Sequence, residues 1–181
     1  MIDKFNELIA LANSKTFLNK KNEPFCIRPF DKTMHEALIE TYLAYEPKNS
    51  FNGLPPIAES ACIQWVNDMV RSGLNVLAFS VDNTILGHAA LFTVSTKLSE
   101  FFVAVSSMYQ NIGIGTQLTR SVIDVSNDLG FDKIWLSVAS SNLRAMHVYL
   151  KCGFDYISKG CFDDMEMILD LDCYRKKTSQ R

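Results

Sequence analysis

The chain has 181 residues, 48% of them apolar and 21% charged, with a formal net charge of −2. That length suits one compact domain with a full hydrophobic core and is short for two. A charge so near zero creates no field that would gather nucleic acid or anionic lipid, and the first dense basic cluster is Arg175-Lys176-Lys177.

Met1 to Lys20 has no continuous h-region or small-residue cleavage site. No apolar run reaches the roughly eighteen residues of a membrane span, so a cytoplasmic location without membrane partners is expected. The five cysteines (Cys26, Cys62, Cys152, Cys161, Cys173) are widely spaced, with no Cys-x-x-Cys pair and no Cys/His cluster of metal-ligand spacing. They read as reduced, small buried hydrophobes, and no metal is expected.

Phe5, Leu8, Ile9 and Ala12 recur at helical spacing, predicting an amphipathic helix between Ile2 and Leu18 that lies on the domain or on a partner. Phe25 to Phe30 reads as a short strand, and Asp31 or Thr33 can cap a helix running to about Tyr45. The breakers between Glu46 and Pro56 mark a constrained loop. A second helix from Ala58 to Arg71 is expected to end at Gly73 in an αL cap.

Val76 to Val81 and Ile85 to Val94 are β-prone runs joined by the hairpin signal Asp82-Asn83-Thr84, and Phe101 to Val105 is a third. Gln110-Asn111-Ile112-Gly113-Ile114-Gly115-Thr116 then leads into a helix patterned by Leu118, Val122, Val125 and Leu129, which stops at Gly130. A strand (Ile134 to Val138), a helix from Ser141 or Asn142 to Cys152 closed by Gly153, and strands near Phe154–Ser158 and Met165–Leu171 complete the chain. The order predicts a mixed α/β sheet with helices on both faces. It divides into a helical extension (1–24), a core domain (25–172) and a polar tail (173–181).

A strand followed by a glycine turn that opens a helix is a device for holding phosphate. The first helical amides lack internal partners and sit at the positive end of the macrodipole. Gly113 and Gly115 are read as keeping side chains away from the pyrophosphate and as adopting the dihedrals the turn requires, with Thr116 adding a hydroxyl. The P-loop ending and the third glycine of the dinucleotide fingerprint are both absent.

Gln110, Gly113 and Gly115 match the Gln/Arg-x-x-Gly-x-Gly/Ala signature of the GNAT superfamily. Asn142, Ala145, Tyr149, Gly153 and Phe154 match its later Asn-x-x-Ala-x-x-x-Tyr-x-x-x-Gly-Phe pattern. The chain from about Phe25 to Leu171 resembles that superfamily. The resemblance implies the acyl-CoA N-acyltransferase fold, with two splayed central strands, and acetyl-CoA as cosubstrate.

It also implies roles. Backbone groups of Val103, Ala104 and Val105, freed by a β-bulge, would bind the pantetheine arm. Gln110 and the amides of Asn111, Ile112, Gly113, Ile114, Gly115 and Thr116 would hold pyrophosphate, and Asn142 would reach the pantetheine. Tyr149 would donate a proton to the departing thiolate, while the Val105 amide would stabilise the oxyanion formed by direct amine attack.

For the general base, Ser137 stands where many family members carry Glu. Glu100 is offset by about one residue from the position used elsewhere, which in a strand inverts the face. His88 is the rival, its ordinary pKa suiting neutral pH, and ordered water is a third route. His147, two positions from Tyr149, is expected to face another side. The resemblance places the acceptor amine between the Glu46–Pro56 loop and Lys159–Asp164, where Glu46, Asp163 and Asp164 offer negative charge.

A reading of another class also stands: a non-catalytic acyl-CoA-binding regulatory module that presents its N-terminal helix to a partner. Homodimerisation is compatible with either reading.

Overall fold

The computed structural model describes residues 1–12, 16–48, 54–159 and 164–178. Its strands are β1 (Phe17–Leu18), β2 (Pro24–Pro29), β3 (Leu74–Ser80), β4 (Ile85–Thr93), β5 (Leu98–Val105), β6 (Lys133–Ala139), β7 (Asp155–Lys159) and β8 (Asp164–Asp170). They form one sheet in the order β1-β2-β3-β4-β5-β6-β8-β7, antiparallel throughout except for β5–β6. The α-helices are α1 (Ile2–Ala12), α2 (His35–Leu43), α3 (Glu59–Ser72), α4 (Ile114–Asp128), α5 (Leu143–Cys152) and α6 (Leu171–Thr178).

The period-2 alternation of strands divides the core between the two faces. On β3, Val76 and Ala78 join α1, α4 and α5 on one face, while Leu77 and Phe79 pack under α2 and α3 on the other. On β5, Phe101, Val103 and Val105 face α4 and α5, and Phe102 and Ala104 face α2 and α3. β3 is buried along nearly its whole length, which is why its sequence reads as a continuous apolar run.

The N-terminal segment is more than a helical extension. Phe5 and Ile9 are fully buried in the main core, each stabilising the fold by about 2 kcal/mol, and Phe17–Leu18 adds a strand beside β2. This apolar face of α1 is therefore occupied by the chain's own core. The expected polar tail folds as α6, whose Tyr174 hydroxyl donates to Asp124 Oδ1 at 3.3 Å.

Three local expectations are corrected. Asp31 caps a 3₁₀ turn (Lys32–Met34), accepting from the Thr33 amide, and α2 begins only at His35. Gly73 is extended (φ −106°) rather than αL; its hydrogen is required because a Cβ would lie 2.7 Å from the Phe92 ring. β5 runs in unbroken register with β4, so no bulge interrupts that pairing.

Gly87 sets how closely α4 approaches the sheet. A Cβ there would lie 2.9 Å from the Ala104 carbonyl oxygen and 3.0 Å from Leu118 Cδ1. Gly87→Ala should therefore destabilise the protein by roughly 1–3 kcal/mol, as overpacking does, read as a lower denaturation midpoint. An unchanged midpoint would mean that α4 shifts freely.

Candidate active site

β5 and β6 pair only from Leu98 to Glu100 against Lys133 to Trp135. Beyond that point β5 stays with β4 and β6 stays with β8, so the sheet opens into a wedge. The wedge is the floor of a cleft of about 1330 Å³, large enough for a nucleotide-sized ligand.

Ladder geometry fixes which backbone groups face the opening. The Ser106 amide donates to the Leu86 carbonyl at 3.0 Å. Because antiparallel residues alternate between bonded and non-bonded pairs, Phe102 and Ala104 turn their peptide groups to β4, whereas Val103 and Val105 turn theirs to the gap. The carbonyl of Val105 bears this out by accepting from Gln110 Nε2 at 3.0 Å and from the Tyr45 hydroxyl at 3.2 Å. An unpaired strand edge therefore remains at Val103 and at the Val105 amide. Ala104, grouped with them from the sequence, is turned away from the gap.

The glycine turn closes one end of the cleft. Asn111 (φ 64°) and Gly113 (φ 100°) are both left-handed, and Gly113 precedes α4 as its N-cap. Gly113 is required for this dihedral, since a Cβ there would meet nothing closer than Lys20 Cγ at 3.9 Å. Gly115 is required by packing, its Cβ position lying 3.3 Å from Val105 Cγ2. The dihedral of Gly113 is the one expected of a glycine at this turn. Gln110, Asn111, Gly113, Gly115 and Thr116 line the cleft, whereas Ile112 and Ile114 are buried in the core.

Gln110 also ties the cleft together. Its side chain bridges the two walls, donating to Val105 and accepting from Arg144 Nη1 at 2.6 Å. Asn142 Oδ1 caps α5 by accepting from the Ala145 amide at 3.1 Å, which leaves its amide nitrogen for a ligand. Tyr149 lines the cleft while only 6% exposed, its ring set edge-on to Phe101 at 6.3 Å between centroids. Burial, reinforced by Cys152, raises its phenol pKa.

Of the two candidate bases, Glu100 lines the cleft and its pKa is raised by burial. His88 is withdrawn. It is 2% exposed and lies outside the cleft, accepting at Nδ1 from the Tyr42 hydroxyl (2.8 Å) and donating from Nε2 to Asn75 Oδ1 (2.9 Å). The tautomer follows from Asn75 Nδ2, which donates to the carbonyls of Met69 and Gly73 and so turns its oxygen to the ring. Burial holds the His88 pKa down to about 3.

His147 is exposed while Tyr149 is buried, as their spacing predicts, although His147 reaches the cleft, as do Tyr45, Pro47, Leu54, Ser137 and Asp164. Ser137 donates to Asp164 Oδ2 at 3.4 Å. Asp163 and most of the Glu46–Pro56 loop tip lie outside the described residues. Arg144 and Lys151, both inside the Asn142–Phe154 motif, were within reach of sequence reasoning, whereas Lys20 carried no such signal. Among the described residues no cluster of metal-ligating side chains occurs and no helix is long and apolar enough to cross a membrane.

A family model described as the acetyltransferase (GNAT) family matches residues 34–154. The L-amino acid N-acetyltransferase AaaT of Escherichia coli (strain K12) is 30% identical over 95 residues, 50% of this chain and 59% of that protein. The [ribosomal protein bS18]-alanine N-acetyltransferase of the same strain is 28% identical over 92 residues, 51% of this chain and 56% of that protein. The chain thus spans less than two thirds of the length of these relatives. The spermidine N-acetyltransferase of Vibrio cholerae, solved in complex with CoA and spermine, superposes with a TM-score of 0.69 over 83% of this chain and 98% of its own; at 17% identity the likeness is one of fold.

His88 makes stability depend on pH. Its folded pKa lies below the unfolded value, so the unfolded chain binds more protons between the two, and the stabilisation present above pH 6.5 is lost as pH falls. Between pH 6.5 and 5 the loss should be about 2 kcal/mol. Urea titrations at both pH values should show this for the wild type and not for His88→Gln; equal losses in both proteins would place the proton elsewhere.

Proposed function

The chain belongs to the acetyltransferase (GNAT) family, and on that footing we propose that it moves an acetyl group from acetyl-CoA directly to a primary amine. The observation that carries this reading is the unpaired β5 edge at Val103 and Val105, which leads to the glycine turn at the start of α4 and passes the Tyr149 hydroxyl face of the cleft.

Each part has a physical task. The Val103 peptide groups offer a donor and an acceptor to the amides of a pantetheine arm, as a neighbouring strand would. Amides of Gly113 to Thr116 point from the positive end of α4 toward a pyrophosphate. The Val105 amide is placed to bind negative charge developing on the thioester oxygen, its own carbonyl being held aside by Gln110 and Tyr45.

Tyr149, its pKa raised by burial, stays protonated at any working pH and can donate toward the sulfur. Glu100, exposed at the cleft but desolvated enough to raise its pKa, is the group to take the ammonium proton, directly or through water. Glu100 and Asp164 make the acceptor side negative, which favours a cationic amine. The acceptors named for the relatives, a free amino acid, a protein N-terminal alanine and a polyamine, form the natural first panel.

Calorimetric titration with acetyl-CoA, CoA and ADP tests the first half of the reading. Micromolar binding that requires the pantetheine arm is expected, and no binding would overturn it. Thiol release across the amine panel tests the second half; tight binding without turnover on any amine would favour the binding-module reading.

Two substitutions divide the roles. Tyr149→Phe should lower kcat by roughly 10²-fold with little change in CoA affinity, the loss expected for a general acid; an unchanged rate removes Tyr149 from the chemistry. Gly113→Asp should abolish CoA binding, because it places a side chain at φ 100° and a negative charge at the phosphate turn. Normal binding by a folded variant would show the turn to be structural only.

A further inference from the structure

We propose that the turn between β1 and β2 completes the phosphate end of the cleft, with Lys20 as the cation facing the pyrophosphate. This rests on the acyl-CoA reading above. The turn lies outside residues 34–154, the part matched by the family model.

The backbone of the turn is tied directly to the glycine loop. The Lys20 amide donates to the Ile112 carbonyl at 2.8 Å, one residue before the left-handed Gly113. The Lys20 side chain then passes over that glycine, with Cγ 3.9 Å from the Gly113 Cβ position, and lines the cleft. Among the described residues Lys20 takes part in no salt bridge. The nearby Glu23 is engaged, its Oε2 accepting from Asn19 Nδ2 at 2.8 Å.

The turn is built to hold one shape. Asn19 is 7% exposed, and its Oδ1 accepts from the amides of Lys21 (2.8 Å) and Glu23 (3.0 Å). The Asn22 amide bonds back to the Asn19 carbonyl at 3.0 Å, and Asn22 is left-handed at φ 61°. The cation is therefore presented from a rigid base, so little backbone entropy opposes its use.

Charge is also segregated along the cleft. Lys20 lies at Gly113, Arg144 at Gln110, and Lys151 beside Cys152, whose Sγ is 3.9 Å from the Thr116 carbonyl. Three cations from two elements, Lys20 from the β1–β2 turn and Arg144 and Lys151 from α5, thus line the cleft together with the start of α4, the arrangement a polyanionic end requires, while Glu100 and Asp164 line the same cleft from the sheet.

The test compares CoA, 3′-dephospho-CoA and pantetheine as calorimetric probes of the full chain and of Lys20→Ala and Lys20→Arg. Lys20→Ala should bind CoA and 3′-dephospho-CoA about five- to tenfold more weakly, with a shallower salt dependence, and pantetheine as the wild type does. Lys20→Arg should restore most of the affinity. Equal CoA affinity in wild type and Lys20→Ala overturns the proposal, as does a loss that extends to pantetheine, which would make the turn a scaffold only. A loss for CoA that spares 3′-dephospho-CoA also overturns it, because the contact would then be to the 3′-phosphate. A wild-type protein that binds none of the probes overturns the acyl-CoA reading itself, a failure distinct from the others.

Discussion

Every feature of the candidate site depends on one failure of hydrogen bonding inside the sheet. After Glu100 and Trp135 the two central strands part, although each remains paired on its outer side. Backbone amides and carbonyls need partners when water is excluded, so an internal strand edge is tolerated only where solvent or a ligand can reach it. The wedge is a candidate site because part of its backbone is unsatisfied by protein, and a ligand with amide groups along an extended arm would be its chemical complement.

The parting is held by side chains on both faces. On one face Phe101 stacks on Phe154 at 6.3 Å, and Tyr149 lies against both rings. On the other, Tyr42 anchors α2 to the strands through His88 and Asn75, while Tyr45 and Gln110 hold the Val105 carbonyl. The Arg144–Gln110 bond joins the two walls where the strands are furthest apart. A histidine with both ring nitrogens used in this way is a strut, and its depressed pKa is the electrostatic consequence of burial.

The N-terminal segment belongs to the same mechanical unit. Phe5 and Ile9 seal the core beneath α4, and the following hairpin strand extends the sheet. Through the Lys20 amide this segment bears on the loop that shapes the first turn of α4. Packing, sheet edge and glycine turn are thus linked through short stretches of chain and this one backbone hydrogen bond.

The order of elements was legible in the sequence because it rests on local signals: apolar period, breakers, and the glycines at 113 and 130 that need positive φ. The two motifs, Gln110 to Gly115 and Asn142 to Phe154, also located the glycine turn and the helix that carries Tyr149. What those residues touch was decided only by the fold. Whether Val103 or Ala104 turns its peptide to the gap depends on ladder phase across β4, which no local pattern encodes. Gly115 yields space to Val105, Gln110 spans two walls, and Asn142 spends its oxygen on a helix cap. His88 looked like a base because an isolated imidazole has a suitable pKa, and only burial between Tyr42 and Asn75 removes it from that role. Lys20 reaches the glycine turn across more than ninety residues of chain, a proximity created by tertiary packing alone.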